Sequence, residues 1–467
     1  MPAPRCFLRA ARHPARALLL SGACAATVLG LGLGPAGPAP AQSLGNSLVS
    51  TTISQRLEAD TNYDLDDPSP GTSYFTDTTL GLSLLNETPI QSITLGFETG
   101  VRAFWEADED FDLTFASPTT VEADYLREWV GGSIDAGVRY RQTRVDFDRP
   151  LADVLEEDLD EDDLDLLPDG IEELPDDTER IQGETIEQRY DANVALELAT
   201  NAPSSYEFTL ATTRFEYSDD GSTRTPRSSI QGRGLWTLRL TPVLSSAVLA
   251  RYYLFEADNL AETRIREAEL DAGVIYVASD RLRLTAGLGY VDRLREQTQR
   301  NGEVVEVENG TGPALRAGAR YRLNGLVINA DTRLSDTVPE RRLSGNLRLT
   351  YPVRPDTLVN ARLFRRYIGN SRGQEVELTG AGLGVERELS SVSSVGLDFA
   401  VANQANEDNP DAADVRRLDA TATYTRELTA AVSADIGYRF RNRDEDPDSA
   451  TSHAVFFEIG RTFDTRF

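Results

Sequence analysis

The chain has 467 residues, 76 of them acidic against 47 basic, for a formal net charge of −29 at pH 7. Every basic residue is arginine, and the acidic balance excludes a nucleic-acid partner, whose phosphates need a basic face. Both cysteines, Cys6 and Cys24, lie in the first 41 residues, so the rest of the chain has no disulfide or thiolate nucleophile, and neither cofactor nor metal is expected.

The N-terminus reads as a secretory address. Arg5, Arg9, Arg12 and Arg16 form a positive region, Ala17 to Gly34 is uncharged and apolar, and Ala39-Pro40-Ala41 is a small-x-small cleavage site. Residues 1–41 are therefore expected to be a cleaved signal peptide and 42–467 the mature domain. Cys24 follows Ser21-Gly22-Ala23 instead of a Leu-led triplet, and apolar residues continue past it, which argues against lipidation. Removing the four signal arginines leaves 43 against 76 acids, about −33. No later stretch could cross a membrane as a helix, so any crossing is by strands.

Alternation supplies those strands. Ile93-x-Leu95-x-Phe97-x-Thr99-x-Val101-x-Ala103-x-Trp105 is one, with Glu98, Gly100 and Arg102 on its other face. Leu282 to Tyr290, Leu343 to Tyr351 and Val432 to Phe440 repeat the pattern. Apolar out and polar in suits a lipid-facing wall around a watery lumen. A soluble sandwich also alternates, but its strands are shorter than these. Connections alternate in length. Short ones fall at Asn86 to Pro89, Gly131-Gly132, Thr200 to Ser204, Thr241 to Val243, Ser279-Asp280, Asn324-Gly325 and Pro352 to Asp356. Long polar ones fall at Thr61 to Ser73, Glu106 to Thr120, Asp148 to Glu184, Ser218 to Pro226, Arg295 to Thr311, Ala405 to Asp414 and Asn442 to Thr451. The expected fold is all-β: a single transmembrane antiparallel up-and-down β-barrel of about 20 strands (roughly 18–22), with short periplasmic turns and long extracellular loops. Trp105, Trp129, Tyr140, Tyr252, Tyr276, Tyr290, Tyr321, Tyr351, Tyr438 and Phe440 fall near expected strand ends, as an interfacial aromatic girdle would.

The run Tyr125-Leu126-Arg127-Glu128-Trp129-Val130-Gly131-Gly132-Ser133, followed by Val138 to Gln142 and Val145-Asp146-Phe147, resembles the alphaproteobacterial putative β-barrel porin type 2 proteins. The resemblance implies an outer-membrane barrel and, by association, a role in surface polysaccharide or envelope biology. It assigns no functional residues.

Residues 148–184 form the third long loop, between the fifth and sixth expected strands. From Asp153 to Glu179, fifteen of 27 residues are acidic and none is basic. Glu156, Glu157, Asp158, Asp160, Glu161, Asp162, Asp163 and Asp165 are its dense centre. In position and charge this resembles the third loop of general porins, which folds inward and faces a ladder of arginines. Leu151, Leu155, Leu159, Leu166 and Leu167 give it an amphipathic stripe that could dock on a wall. A solvated acidic loop is the favoured alternative, since like charges repel. Calcium is a third option, although the spacing is not an EF-hand because Asp163 occupies the glycine position.

The facing lumen is rich in arginine: Arg283, Arg293, Arg316, Arg320, Arg322, Arg342, Arg348, Arg362, Arg417 and Arg439. Its acids include Glu98, Asp191, Glu197, Glu269, Asp271, Asp331, Asp398, Asp419 and Asp435. Arg283, Arg316, Arg320, Arg342 and Arg348, with the eight central acids of the loop, are the candidate constriction or ion-contacting groups. Cross-strand salt-bridge ladders that only stiffen the wall are the alternative for most of them. Catalysis has little to work with: His453 is the only histidine after residue 41, beside Asp444, Glu445, Asp446 and Asp448. The final strand, Val455-x-Phe457-x-Ile459-x-Arg461-x-Phe463-x-Thr465-x-Phe467, resembles the signal read by the barrel-assembly machinery, with Phe463 and Phe467 as its key residues.

The function expected is a porin-like diffusion channel for small hydrophilic solutes or ions, in the outer membrane of a Gram-negative bacterium. The alternative is a non-conducting barrel serving polysaccharide export, adhesion or scaffolding. Expected partners are outer-membrane lipid and lipopolysaccharide and the assembly machinery. Nothing in the sequence sets the oligomeric state.

Overall fold

The computed structural model describes residues 46–466 except 106, 108–110, 146–184, 219–223, 259–261, 299–303, 338–339, 370–374, 407–413 and 446–447. The signal segment, the acidic segment and Phe467 lie outside the described residues.

Among the described residues, twenty strands follow one another along the chain. The first five are β1 (Asn46–Asp60), β2 (Ser73–Thr88), β3 (Gln91–Trp105), β4 (Asp112–Trp129) and β5 (Gly132–Val145). Then come β6 (Thr185–Leu198), β7 (Ser204–Tyr217), β8 (Arg227–Thr241), β9 (Leu244–Ala257) and β10 (Thr263–Ser279). The third group is β11 (Leu282–Thr298), β12 (Val304–Leu323), β13 (Leu326–Thr337), β14 (Glu340–Arg354) and β15 (Thr357–Gly369). The last is β16 (Glu375–Ser390), β17 (Ser393–Asn406), β18 (Val415–Thr429), β19 (Val432–Glu445) and β20 (Asp448–Arg466).

Each strand pairs antiparallel with its neighbour in sequence, and β1 pairs with β20 from Leu48↔Arg466 to Asp60↔Ala454. The sheet is therefore a closed up-and-down barrel without a free edge. Because side chains alternate across a strand, one wall face is apolar all round: Leu95, Phe97, Leu288, Leu347, Ile436 and Phe457 are exposed outward. Their neighbours Glu98, Gly287, Asn346, Asp435 and Glu458 face the lumen.

Short turns gather at one rim. Asn324 and Gly325 close β12 onto β13 with φ of 51° and 84°, the two positive angles of a type I′ hairpin. Turns at 391–392 and 430–431 are equally short but carry no glycine, and the sequence pattern alone does not flag them. At the opposite rim the walls run further than the polarity of the sequence suggests. Residues 112–119, 304–310 and 442–451 were expected in loops, yet the described residues there pair as strand. A ladder is held by backbone hydrogen bonds, so polar side chains lengthen the wall past the apolar belt without ending it.

A barrel closed this way should resist detergent until heated. Unboiled protein is expected to run faster than boiled protein on SDS gels, and equal mobility in both lanes would contradict the closed sheet.

Candidate functional site

The lumen is partly filled by its own side chains. Between β8 and β16 they surround a cavity of about 260 Å³. Arg316 on β12 donates to Glu269 on β10 at 2.7 Å, and its Nε lies 2.6 Å from Asp271. Arg333 on β13 donates to Glu267 at 2.6 Å and sits 3.0 Å from Glu269. Arg342 on β14 grips both oxygens of Glu375 at 2.6 and 2.8 Å, and Arg293 on β11 donates to the same carboxylate. These are charge-assisted bonds between groups no more than a tenth exposed in the Arg342–Glu375–Arg293 set.

Arg293 and Glu375 are five strands apart. Five inter-strand steps are about 24 Å along the wall, more than the two side chains can span. Contact between them means that the wall curls tightly here and that the bridge cuts a chord across the lumen. Beside it, Phe364, Ile368, Val376, Leu378, Ala400 and Ala402 form a buried apolar cluster. The Phe364 ring lies over Gly380 so closely that a Cβ there would strike it, and the Arg366 guanidinium lies 4.8 Å from the ring centre.

On the far side the first long connection, residues 61–72, turns inward instead of standing clear. Tyr63 packs on Phe75 with ring centres 4.3 Å apart, and Leu65 is buried. Asn62 ties the segment down through the carbonyls of Asp66 and Thr451. Its polar sequence gives no sign of this, because the anchors are backbone carbonyls, one of them on distant β20.

Of the arginines expected from sequence, Arg316 and Arg342 enter the cluster. Arg283 lies next to the short-turn rim, directly opposite Arg320 in the ladder, and Arg348 is opposite Arg362. The eight loop acids fall outside the described residues. Glu375, Glu267, Arg333 and Phe364 were not singled out from sequence. Glu375 opens a strand after a polar run, and Phe364 follows the outward Leu363, so neither stands out by alternation.

His453 faces outward, not into the lumen. Its Nδ1 is 2.7 Å from the Tyr438 hydroxyl, and its ring lies 5.2 Å from that of Phe440. That places it in the aromatic band near the long-connection rim. Among the described residues, no group of three or more His, Cys, Asp or Glu could hold a metal ion.

No protein-family model matches the chain, and no curated protein matches it. Solved structures give distant neighbours. A mutant ferric enterobactin receptor of Pseudomonas aeruginosa is 10% identical, with 91% of this chain and 81% of that one covered, at a TM-score of 0.44. OpdQ of the same species is 8% identical over 90% of this chain and 99% of its own, at 0.36. The FrpB iron transporter of Neisseria meningitidis is 9% identical over 88% and 82%, at 0.46. Likeness this slight carries no function across.

Proposed function

We propose that the protein is an outer-membrane β-barrel acting as a diffusion channel for small hydrophilic solutes. The observation that carries the reading is a closed twenty-stranded wall with an apolar outer face and a charged lumen. In hydrocarbon every backbone polar group needs an internal partner, and a closed barrel is the only sheet that provides it. Twenty strands enclose a space wider than side chains alone fill. The outward aromatics Trp105, Trp129 and Tyr276 sit near strand ends, where they would meet lipid and lipopolysaccharide headgroups. The short-turn rim, where β1 begins and β20 ends, would face the periplasm. Phe463 lies outward on β20, as recognition by the assembly machinery would require.

A second reading has one observation in its favour. The apolar cluster around Phe364 and the chord made by Arg293 and Glu375 narrow the lumen from within. A barrel closed by them would serve as a scaffold or polysaccharide-export partner through its loops. Planar bilayers separate the two. Steady single-channel openings are expected, graded with salt. Protein that inserts fully but passes no current would reject the channel and favour the scaffold.

A further inference from the structure

We propose that the lumen is electrically polarised by its own wall and favours small zwitterionic solutes, those carrying both a carboxylate and an ammonium group. The inference rests on the channel reading above and supplies its solute class.

Lumen-facing positions five to eight residues from the short-turn end of each strand form a belt near mid-height. On β8–β15 this belt carries Arg233, Arg251, Arg316, Arg333, Arg348 and Arg362 against Asp271 and Asp331, a net of +4. From β17 through the β20–β1 seam to β6 it carries Glu98, Glu122, Asp124, Asp191, Asp398 and Glu458 against Arg139 and Arg439, a net of −4. The belt as a whole is neutral. Closure of the sheet sets the two arcs on opposite sides of the lumen.

Cross-strand ion pairs such as Arg316 with Asp271 and Arg139 with Glu122 hold part of the belt, but they do not account for its like-charged neighbours. Ladders that rigidify a wall alternate sign between neighbouring strands, because like charges side by side are unfavourable. Here Arg348 stands directly opposite Arg362, and Glu98 has Glu122 and Glu458 as charged neighbours. Fixed charges segregated across a confined, wet lumen act together on whatever enters. A zwitterion gains at both ends: its carboxylate meets guanidinium forks, which suit it geometrically, and its ammonium faces the acidic arc. The cavity between β8 and β16 gives the carboxylate room on the arginine side. An uncharged molecule of the same size gains at neither end.

Alanine and lactamide test this cleanly, since both have six heavy atoms and no net charge, and only alanine is a zwitterion. Proteoliposome swelling is measured at low salt, about 0.01 M, where the screening length reaches about 30 Å. Alanine is expected to enter severalfold faster than lactamide. The Arg348→Gln, Arg362→Gln double variant should bring the two rates to parity. If that variant fails to insert, Glu98→Gln with Asp398→Asn reads the same ratio from the other arc. Equal entry of both solutes through the native protein, or an unchanged ratio in the variant that inserts, overturns the proposal alone. Entry of neither solute overturns the channel reading as well.

Discussion

Arg441→Ala is expected to open the barrel at its closing seam. Arg441 on β19 reaches past β20 to β1, where it donates to Asp60 at 2.8 Å and to the Tyr63 carbonyl at 2.9 Å. Asp60 also accepts from Ser452 and, at 2.9 Å, from the backbone of Asn62, and both it and Arg441 are almost wholly buried. The pair thus fastens three strands and the inward first connection at one point. Removing the arginine leaves the buried carboxylate with Arg439, 4.0 Å away, as its remaining cation, and losing the close partner of a buried pair costs about 3–5 kcal/mol. The temperature at which the fast-running folded band disappears should drop clearly. Replacing both partners together, Arg441→Met with Asp60→Leu, should recover much of that loss, because the unpaired charge is then gone. A single variant with native heat resistance would show that the seam is held by its backbone ladder alone.

Much of this architecture can be read from alternation. Leu95, Phe97 and Trp105 mark an outward face in the sequence and occupy one in the structure, and Asn324-Gly325 marks a hairpin by its own backbone preference. Which residues face the lumen follows from the same parity, so Arg316 and Arg342 could be placed there without coordinates. What parity cannot give is distance across the lumen. Arg293 and Glu375 meet only because the wall curls between β11 and β16, and no local pattern encodes curvature. Lumen aromatics escape for a related reason. Phe364 and Phe456 each lie next to an outward apolar residue, Leu363 and Phe457, so the period-two signal that identifies the outer face is blurred where both faces are apolar. The polarised belt is different again. Every charge in it is visible in the sequence, yet the two arcs appear only once closure fixes which strands lie opposite. The acidic segment 148–184 keeps all three readings given to it by its composition, since it falls outside the described residues.

Glu375→Ala should damage the long-connection half of the lumen by the converse electrostatics. Glu375 is 7% exposed and is the common acceptor for Arg293 and Arg342, with Arg342 bound to both its oxygens. Without it two guanidinium groups remain close together where little water reaches them, and each loses charge-assisted bonds. Loss of a buried partner predicts a cost of about 3–5 kcal/mol, read as a lower urea midpoint for the folded barrel. The same change removes one negative charge from the arginine-lined cavity between β8 and β16, so the reversal potential in a salt gradient should move toward anions. The shift should be larger at low salt. Glu375→Gln keeps the shape and one acceptor oxygen, and should destabilise less than alanine while shifting selectivity as much. Pairing Glu375→Ala with Arg293→Met separates the effects, because it restores charge balance and relieves the crowding of the two guanidinium groups. Stability should then recover and selectivity return toward native. If Glu375→Ala leaves the urea midpoint unchanged, water reaches this carboxylate freely, and the chord it forms with Arg293 does not hold the lumen narrow.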